Sequence, residues 1–232
     1  MSLSKRGKKV LSPALSHYTE IEIKKGRGSY LYDNKGNKYL DFASGIAVTS
    51  TGHCHPKVVR AIKKQSENLI HACSGIVYYE PNIVLAEKLR KIAPKGLEHT
   101  FFTQSGTEAV EGALKLSRYI TQKKEYIAFS GGFHGRSFGS LSVTTSKEKY
   151  YKKYQPLLEK VNFFPYPYCY RCPFKSNWAI CEKSKEKYPC IKALEKFFFN
   201  KNIKNVASVI IEPILGEGGY IPAPNKFLKA LY

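Results

Sequence analysis

The chain has 232 residues, 43% of them hydrophobic, so it is long and apolar enough to bury a core and is not an intrinsically disordered chain. Its formal net charge is +20, but the lysines are spread along the sequence and no nucleic-acid-binding module is recognisable, so the charge predicts a solvated surface and no nucleic-acid partner. No apolar run is long enough to cross a bilayer and no signal peptide is recognisable, so we expect a cytoplasmic protein without a membrane partner.

The first part of the chain predicts a small antiparallel meander. Short strand-like runs alternate with turns over residues 21–42, and the turns at 26–28 and 33–37 contain glycine. Two helices follow, over residues 56–70 and 82–92. Pro56 is well placed as the first residue of the earlier helix. We expect that helix to direct its apolar side chains inward, namely Val58, Val59, Ile62 and Leu69.

From residue 100 onward, strands and helices alternate. This order predicts a mainly parallel α/β sheet with flanking helices. The predicted strands are residues 100–103, 126–130, 138–144, 161–164 and 207–212, and the helices are 106–120 and 191–200; residues 225–232 begin a further helix. We therefore predict two parts: an N-terminal segment with the meander, residues 1–55, and a partial α/β domain, residues 56–232.

The turn at Ser105 has the sequence of a helix N-terminus. Ser105 with Glu108 three residues later forms a capping box, so Ser105 is the predicted N-cap. Several main-chain N–H groups are then free, Gly106 allows a close approach, and the helix dipole adds partial positive charge. The turn therefore predicts either an anion site or a capped helix that binds nothing.

Three loops are predicted to share one rim of the sheet. Residues 105–107, 131–136 and 212–217 each follow a predicted strand, and ligands of open α/β sheets bind beyond the carboxyl ends of the strands. Phe133 can stack on a flat heteroaromatic ring, and Arg136 can hold a carboxylate by a bidentate fork. Taken singly, Phe133 is better explained as a core residue and Arg136 as a surface ion-pair partner, and it is their combination with the turn at Ser105 that favours a ligand site.

Cysteines are concentrated in an insertion at about residues 166–190. A C-x2-C pair and two later thiols can supply four ligands to a structural zinc ion, although free thiols or a disulfide explain the same residues. The four are Cys169, Cys172, Cys181 and Cys190. The run His53, Cys54 and His55 is better explained as a loop before a helix that begins with proline than as a metal site.

Five motifs, in their order along the chain, resemble those of the class III pyridoxal-phosphate aminotransferases, and the resemblance runs from about Ser12 to the C-terminus. The nearest resemblance within the family is to 4-aminobutyrate aminotransferases, followed by acetylornithine and ornithine aminotransferases. The resemblance implies the N-terminal part of a fold type I large domain, incomplete, after the small meander. The motifs are DFASGIAV (41–48), GHCHP (52–56), SGTEA (105–109), GFHGR (132–136) and IEPILGEGG (211–219).

The resemblance implies a pyridoxal 5'-phosphate site. Gly106 and Thr107 would hold the phosphate, Phe133 would stack on the pyridine ring and Glu212 would lie beside the cofactor. The full set implied for the cofactor is Ser105, Gly106, Thr107, Phe133, His134 and Glu212.

The resemblance also implies three substrate-binding residues. Arg136 matches an arginine that binds a substrate carboxylate, and Glu217 matches a glutamate of the substrate pocket whose arginine partner comes later in family chains. Ile46 takes a pocket position where ornithine enzymes have tyrosine, which favours an apolar pocket. Leu215 departs from the glutamine that is usual in the family.

The implied activity is transamination between an ω-amino acid such as 4-aminobutyrate and 2-oxoglutarate by a homodimer. The lysine that forms the Schiff base lies after the glutamate motif in the family, and no lysine here matches it. We therefore predict no catalytic residue in this chain and no activity of the chain alone. The alternative is a non-catalytic binding protein that retains a phosphate or cofactor pocket.

Overall fold

The computed structural model describes residues 1–14, 17–176, 178–183, 188–200 and 203–232. The chain divides into two compact units, residues 1–92 and 93–232. The domain boundary at residue 55 stays a prediction. In the described residues, no helix is long and apolar enough to cross a membrane.

The first unit contains the predicted meander. Strands β1, β2 and β3 pair in that order, both pairs antiparallel, with Gly28 turning the chain between β1 and β2 at a φ of +56°. The elements of this unit are α1 (Leu3–Val10), β1 (Ile23–Arg27), β2 (Tyr30–Asp33), β3 (Lys38–Leu40), the short turn α2 (Ser44–Ala47), α3 (Pro56–Asn68) and α4 (Glu80–Ile92).

Helix α3 begins as the sequence predicts, but its apolar side is not buried. Pro56 is the first helical residue, and the His55 side chain caps the helix by accepting a hydrogen bond from the Lys57 N–H. The prediction that this side faces inward is wrong for three of its four residues, because among the four only Val59 is half-buried in the described unit. Ile62 is 62% exposed and Val58 is 45% exposed.

The second unit is the α/β part of the chain. Its helices are α5 (Gly106–Thr121), α6 (Phe138–Ser142), α7 (Trp178–Lys183), α8 (Pro189–Asn200) and α9 (Asn225–Leu231). Its strands are β4 (Glu125–Phe129), β5 (Val161–Phe164), β6 (Val206–Val209), β7 (Ile214–Leu215) and β8 (Ile221–Pro222). Short 3-10 turns cover Glu148–Tyr150, Cys169–Arg171 and Ile203–Asn205.

A parallel sheet in the order β5-β4-β6 forms the centre of this unit. The central strand β4 is apolar and buried after its first residue, Glu125, because both of its faces are covered. Tyr126 and Ala128 pack with Leu114 of α5 on one face, and Phe129 packs with residues of β5, α8 and α9 on the other. Parallel strands covered by helices confirm the predicted α/β architecture.

The segment 100–103 is not a strand, contrary to the sequence prediction. Its aromatic residues have strand propensity, but a strand also needs a hydrogen-bonded neighbour. The central strand already pairs on both edges, and in the described residues segment 100–103 pairs with no other strand. Phe101 is consequently 80% exposed.

The segment 138–144 was predicted as a strand and contains helix α6. The main-chain N–H of Ser140 donates to Glu111 Oε1 at 2.9 Å, and Gly139 packs so closely on Glu111 that a Cβ atom there would lie 2.1 Å from Oε2. These contacts with α5 override the local strand pattern. The last predicted strand is shorter than residues 207–212, because the chain turns toward Pro213, which has no N–H to donate.

Candidate functional site

The N-terminus of α5 is capped as the sequence predicts. Ser105 Oγ accepts a hydrogen bond from the Glu108 N–H at 3.3 Å, and Glu108 Oε2 accepts one from the Gln104 N–H at 2.8 Å. In the described part of the chain, the N–H groups of Gly106 and Thr107 have no hydrogen-bond acceptor. A Cβ atom added to Gly106 would meet nothing within 4 Å, so the space beside this residue is open. Free donors, open space and the helix dipole together suit an anion.

The loop at residues 131–136 lies directly against this helix N-terminus. Thr107 Oγ1 is 2.7 Å from Ser137 Oγ and 2.6 Å from Ser140 Oγ. Gly135 fits between these hydroxyls with a φ of +135°, and a Cβ atom there would lie 2.3 Å from Thr107 Oγ1. Two of the three predicted rim loops are therefore in direct contact.

Glu212 joins the third loop to the second. Its Oε1 accepts a hydrogen bond from the Phe133 N–H at 2.7 Å, and its Oε2 accepts one from the Gly216 N–H at 2.9 Å. Behind it, the Tyr166 hydroxyl donates toward the Glu212 and Pro213 carbonyls at 3.0 and 3.1 Å. Burial raises the pKa of Tyr166 to about 12, so this hydroxyl keeps its proton near neutral pH.

Glu217 is bound to Tyr150, whose ring packs on Phe133. Its Oε1 accepts a hydrogen bond from the Tyr150 hydroxyl at 2.9 Å and lies 2.6 Å from Lys147 Nζ. The Tyr150 ring also meets the Phe133 ring edge to face, with centroids 5.7 Å apart. The Lys147 ammonium, together with the Tyr150 hydroxyl, holds the pKa of the Glu217 carboxyl below its usual value.

His134 is buried in this loop with one ring nitrogen unused. Its side chain is 9% exposed, and among the described residues its Nε2 has no hydrogen-bond partner. Burial lowers the pKa of His134, and the Glu212 charge only partly opposes this shift, so the imidazole is neutral near pH 7. An orphaned buried nitrogen is a group that a ligand or a water can satisfy.

The structure does not bring every predicted site residue together. Arg136 lies on the same loop as Phe133 and is exposed. Ile46 belongs to the other compact unit, where it is 86% exposed and has a φ of +61°, a strained conformation for a β-branched residue. Its role in a substrate pocket stays a prediction.

The cysteines of the insertion form no metal cluster in the described part of the chain, where no three His, Cys, Asp or Glu side chains are placed to hold an ion. All four thiols are free. Cys181 and Cys190 lie in the apolar core beside β5 and α8, and Cys169 and Cys172 are half-buried. A zinc ion on these four thiols stays a prediction.

The run at residues 53–55 is a structural loop, as the sequence analysis favoured. His53 Nε2 is hydrogen-bonded to Asp41 Oδ2 at 2.6 Å, and this bond lowers the pKa of the Asp41 carboxyl. The carboxyl also accepts the Ser44 N–H at 2.9 Å. His55 is the N-cap of α3.

Sequence reasoning missed several residues that build the rim. For Glu111 the sequence offered one signal, its helical spacing, since it lies four residues after Thr107 on the same face of α5. The others act across long sequence separations, which no local pattern reveals. The missed residues are Glu111, Ser137, Ser140, Lys147, Tyr150 and Tyr166.

Comparisons with known proteins agree with the motifs. The family profile described as "Aminotransferase class-III" matches residues 12–232. An acetylornithine aminotransferase of Archaeoglobus fulgidus is 39% identical over 219 residues, which are 94% of this chain and 50% of that protein. A probable 4-aminobutyrate aminotransferase of Bacillus subtilis is also 39% identical, over 88% of this chain and 46% of its own length.

Solved structures share the fold. The adenosylmethionine-8-amino-7-oxononanoate aminotransferase of Methanocaldococcus jannaschii superposes with a TM-score of 0.81 at 29% identity, and the match covers 99% of this chain and 51% of the other. The chain spans about half the length of the curated relatives it matches. Its fold thus corresponds to one part of a pyridoxal-phosphate transferase fold.

Proposed function

The chain belongs to the class III aminotransferase family, whose members use pyridoxal 5'-phosphate, and from this premise we propose that it forms the phosphate-binding and ring-binding part of a 4-aminobutyrate-type aminotransferase. The complete enzyme would transfer the amino group of an ω-amino acid to 2-oxoglutarate and would act as a homodimer. When bound, the cofactor supplies the electron sink that amino-group transfer needs.

The observation that carries the proposal is the junction of three loops at one end of the sheet. Thr107 meets Ser137 at 2.7 Å, and Glu212 meets the Phe133 N–H at 2.7 Å. The junction places free helix N–H groups, an aromatic ring and a buried imidazole on loops that are bound to one another. These are the groups that a phosphorylated, flat heteroaromatic cofactor needs.

Each rim residue has a role in this proposal. The N–H groups of Gly106 and Thr107 bind the phosphate. The ring of Phe133 covers one face of the pyridine, and its backbone is fixed by Glu212. The unused nitrogen of His134 is available to a polar group of the bound molecule.

Substrate selection is proposed to involve two opposite charges. The exposed Arg136 guanidinium takes a substrate carboxylate in a bidentate fork. Glu217, kept anionic by Lys147, lies beyond Phe133 and can pair with a substrate cation. The B. subtilis relative named for 4-aminobutyrate supports an ω-amino acid, and the A. fulgidus relative named for acetylornithine makes that compound the alternative amino donor.

Equilibrium dialysis of the purified chain against pyridoxal 5'-phosphate tests the proposal. We expect saturable binding of one molecule per chain, which inorganic phosphate weakens by competing for the helix N-terminus. Calorimetric titration of the loaded chain with 4-aminobutyrate and with acetylornithine then compares the two amino donors, and Arg136→Gln should weaken both. Absence of saturable cofactor binding contradicts the proposal.

A further inference from the structure

Four side chains form a closed set of short contacts behind the helix N-terminus. Ser137 Oγ is 2.5 Å from Glu111 Oε1 and 2.7 Å from Thr107 Oγ1. Ser140 Oγ is 2.6 Å from Thr107 Oγ1 and 3.0 Å from Ser137 Oγ. The three hydroxyls have three protons for these four contacts, so one contact has no donor, and we take it to be the longest, between Ser140 Oγ and Ser137 Oγ at 3.0 Å.

The proton count gives the network one direction. The Glu111 carboxylate accepts only, so Ser137 donates its proton to Glu111. The contact between Thr107 and Ser137 then needs a proton from Thr107. The 2.6 Å contact between Ser140 and Thr107 needs the proton of Ser140, whose other acceptor, the Ser137 carbonyl oxygen, is farther away at 3.1 Å. The hydrogen bonds therefore run from Ser140 to Thr107, from Thr107 to Ser137 and from Ser137 to Glu111.

This direction leaves the Thr107 hydroxyl no proton to offer a ligand. An anion at the N-terminus of α5 would then be bound by the main-chain N–H groups of Gly106 and Thr107, and the Thr107 side chain would fix the backbone behind them. Glu111 is the fixed end of the network, and its Oε1 also accepts the Ser140 N–H at 2.9 Å. Charge-assisted hydrogen bonds of this kind are stronger than those between neutral groups.

The glycines beside the network are packed closely against it. A Cβ atom on Gly135 would lie 2.3 Å from Thr107 Oγ1, and one on Gly139 would lie 2.1 Å from Glu111 Oε2. Ser140 is fully buried. The network therefore holds the first turn of α5, the loop at residues 131–136 and helix α6 in one arrangement.

We propose that Glu111 is a positioning residue for phosphate binding. Its carboxylate ends the hydroxyl network through Ser137, Thr107 and Ser140, which aligns the free N–H groups of α5 with the loop that carries Phe133. The inference rests on the proposed cofactor site. It assigns Glu111 no contact with the cofactor.

The test compares the dissociation constants of pyridoxal 5'-phosphate and pyridoxal, because their ratio isolates the contribution of the phosphate. The variants are Glu111→Ala, which removes the acceptor, and Glu111→Gln, which keeps a carbonyl oxygen in its place. We expect the wild-type chain to favour the phosphorylated ligand by tenfold or more, Glu111→Ala to lose about tenfold of that preference and Glu111→Gln to keep most of it.

The outcomes separate the inference from the proposed function. A wild-type chain without preference for the phosphorylated ligand overturns the cofactor site and the inference with it. A wild-type preference that Glu111→Ala leaves unchanged overturns the inference alone. If Glu111 had a merely structural role, its replacement would lower the melting temperature and weaken the binding of both ligands equally. An unchanged ratio of dissociation constants with a lower melting temperature therefore also counts against the inference.

Amide hydrogen exchange gives a second readout that needs no ligand. We expect Glu111→Ala to expose the Ser140 N–H to exchange and Glu111→Gln to keep it protected. If Glu111→Ala does not fold, Ser137→Ala replaces it, because that change removes the link between Thr107 and Glu111. Loss of the phosphate preference in Ser137→Ala supports the inference, and an unchanged preference overturns it.

Discussion

At the residue scale, Gly135 is the position of the site with least tolerance for change. Its φ of +135° is strained for any L side chain, and a Cβ atom would overlap the Thr107 and Ser140 hydroxyls at 2.3 and 2.4 Å. We therefore expect Gly135→Ala to lower the free energy of unfolding by about 2–5 kcal/mol, from backbone strain and steric overlap together. Urea denaturation measures the change.

Gly106→Ala is the matched control, because it adds the same methyl group where nothing lies within 4 Å. At the start of a helix, the change should leave the free energy of unfolding equal or raise it by about 0.5 kcal/mol. The methyl group enters the space proposed for the phosphate, so affinity for pyridoxal 5'-phosphate should fall although stability does not. Equal stability losses in the two variants would contradict the structural account.

His134 should make stability depend on pH. Burial lowers its pKa in the folded chain below the ordinary value of 6.5, so the unfolded chain binds more protons between the two values. The contribution of the neutral His134 side chain to the free energy of unfolding is complete above pH 6.5. It is lost as the pH falls toward the folded pKa, by about 1.4 kcal/mol per unit of pKa shift.

Urea denaturation between pH 5 and 8 measures this dependence in the wild-type chain and in His134→Gln. The variant should lose the part of the pH dependence that begins below pH 6.5. His99→Gln, at an exposed histidine of the same unit, is the control and should keep the wild-type profile. If His134→Gln also keeps it, the buried neutral imidazole is ruled out.

At the scale of elements, the sequence predicted what local patterns determine. The apolar run of β4 and the cap of α5 were predicted within a residue or two, and the antiparallel meander was predicted although its first strand extends to Arg27, into the predicted turn, because each depends on neighbours in sequence. Helix α6 was not, because its conformation depends on contacts between Gly139, Ser140 and Glu111, which lie 28 or 29 residues apart. Segment 100–103 has strand propensity, but pairing cannot be inferred from propensity.

The same distinction applies to the candidate site. Ser105 was found from its capping box and Phe133 from its motif and its place after β4. Glu111, Tyr150 and Tyr166 were not, because each supports the site through contacts between distant parts of the chain. Sequence patterns therefore located the groups proposed to touch a ligand and, apart from Glu212, missed those that hold them in position.

The burial of Cys190 in helix α8 predicts that the cysteines of this chain react in a definite order. Burial, with repulsion from the neighbouring thiols of Cys181, Cys169 and Cys172, raises the pKa of Cys190 to about 11, so only a trace of thiolate forms near neutral pH. Alkylation near pH 7.5 with peptide mass spectrometry should label the exposed Cys54 and Cys73 first and Cys190 last. Denaturant should abolish the order, and early labelling of Cys190 in the folded chain would show that its burial is wrong.

At the scale of the whole molecule, exposed apolar surface predicts self-association. The outer side of α5 carries a stripe at helical spacing, with Tyr119 79%, Ile120 69% and Leu116 57% exposed. Light scattering after size exclusion should show a mass that rises with concentration. Leu116→Glu with Tyr119→Lys should shift the population toward the monomer.

The control for self-association is Tyr154→Ser, which removes a single ring that is 53% exposed and lies outside the stripe. It should leave the concentration dependence unchanged. A wild-type chain that stays monomeric at every concentration would contradict the prediction.

The central claim is that three loops of this chain form one pyridoxal 5'-phosphate site. Titrating isotope-labelled chain with pyridoxal 5'-phosphate, and following the main-chain amide resonances by NMR, tests the claim most directly. Saturable shifts should concentrate at Gly106 and Thr107 and at Phe133 and His134, with one common dissociation constant. Shifts confined to other parts of the chain, or the absence of saturation, would contradict the claim.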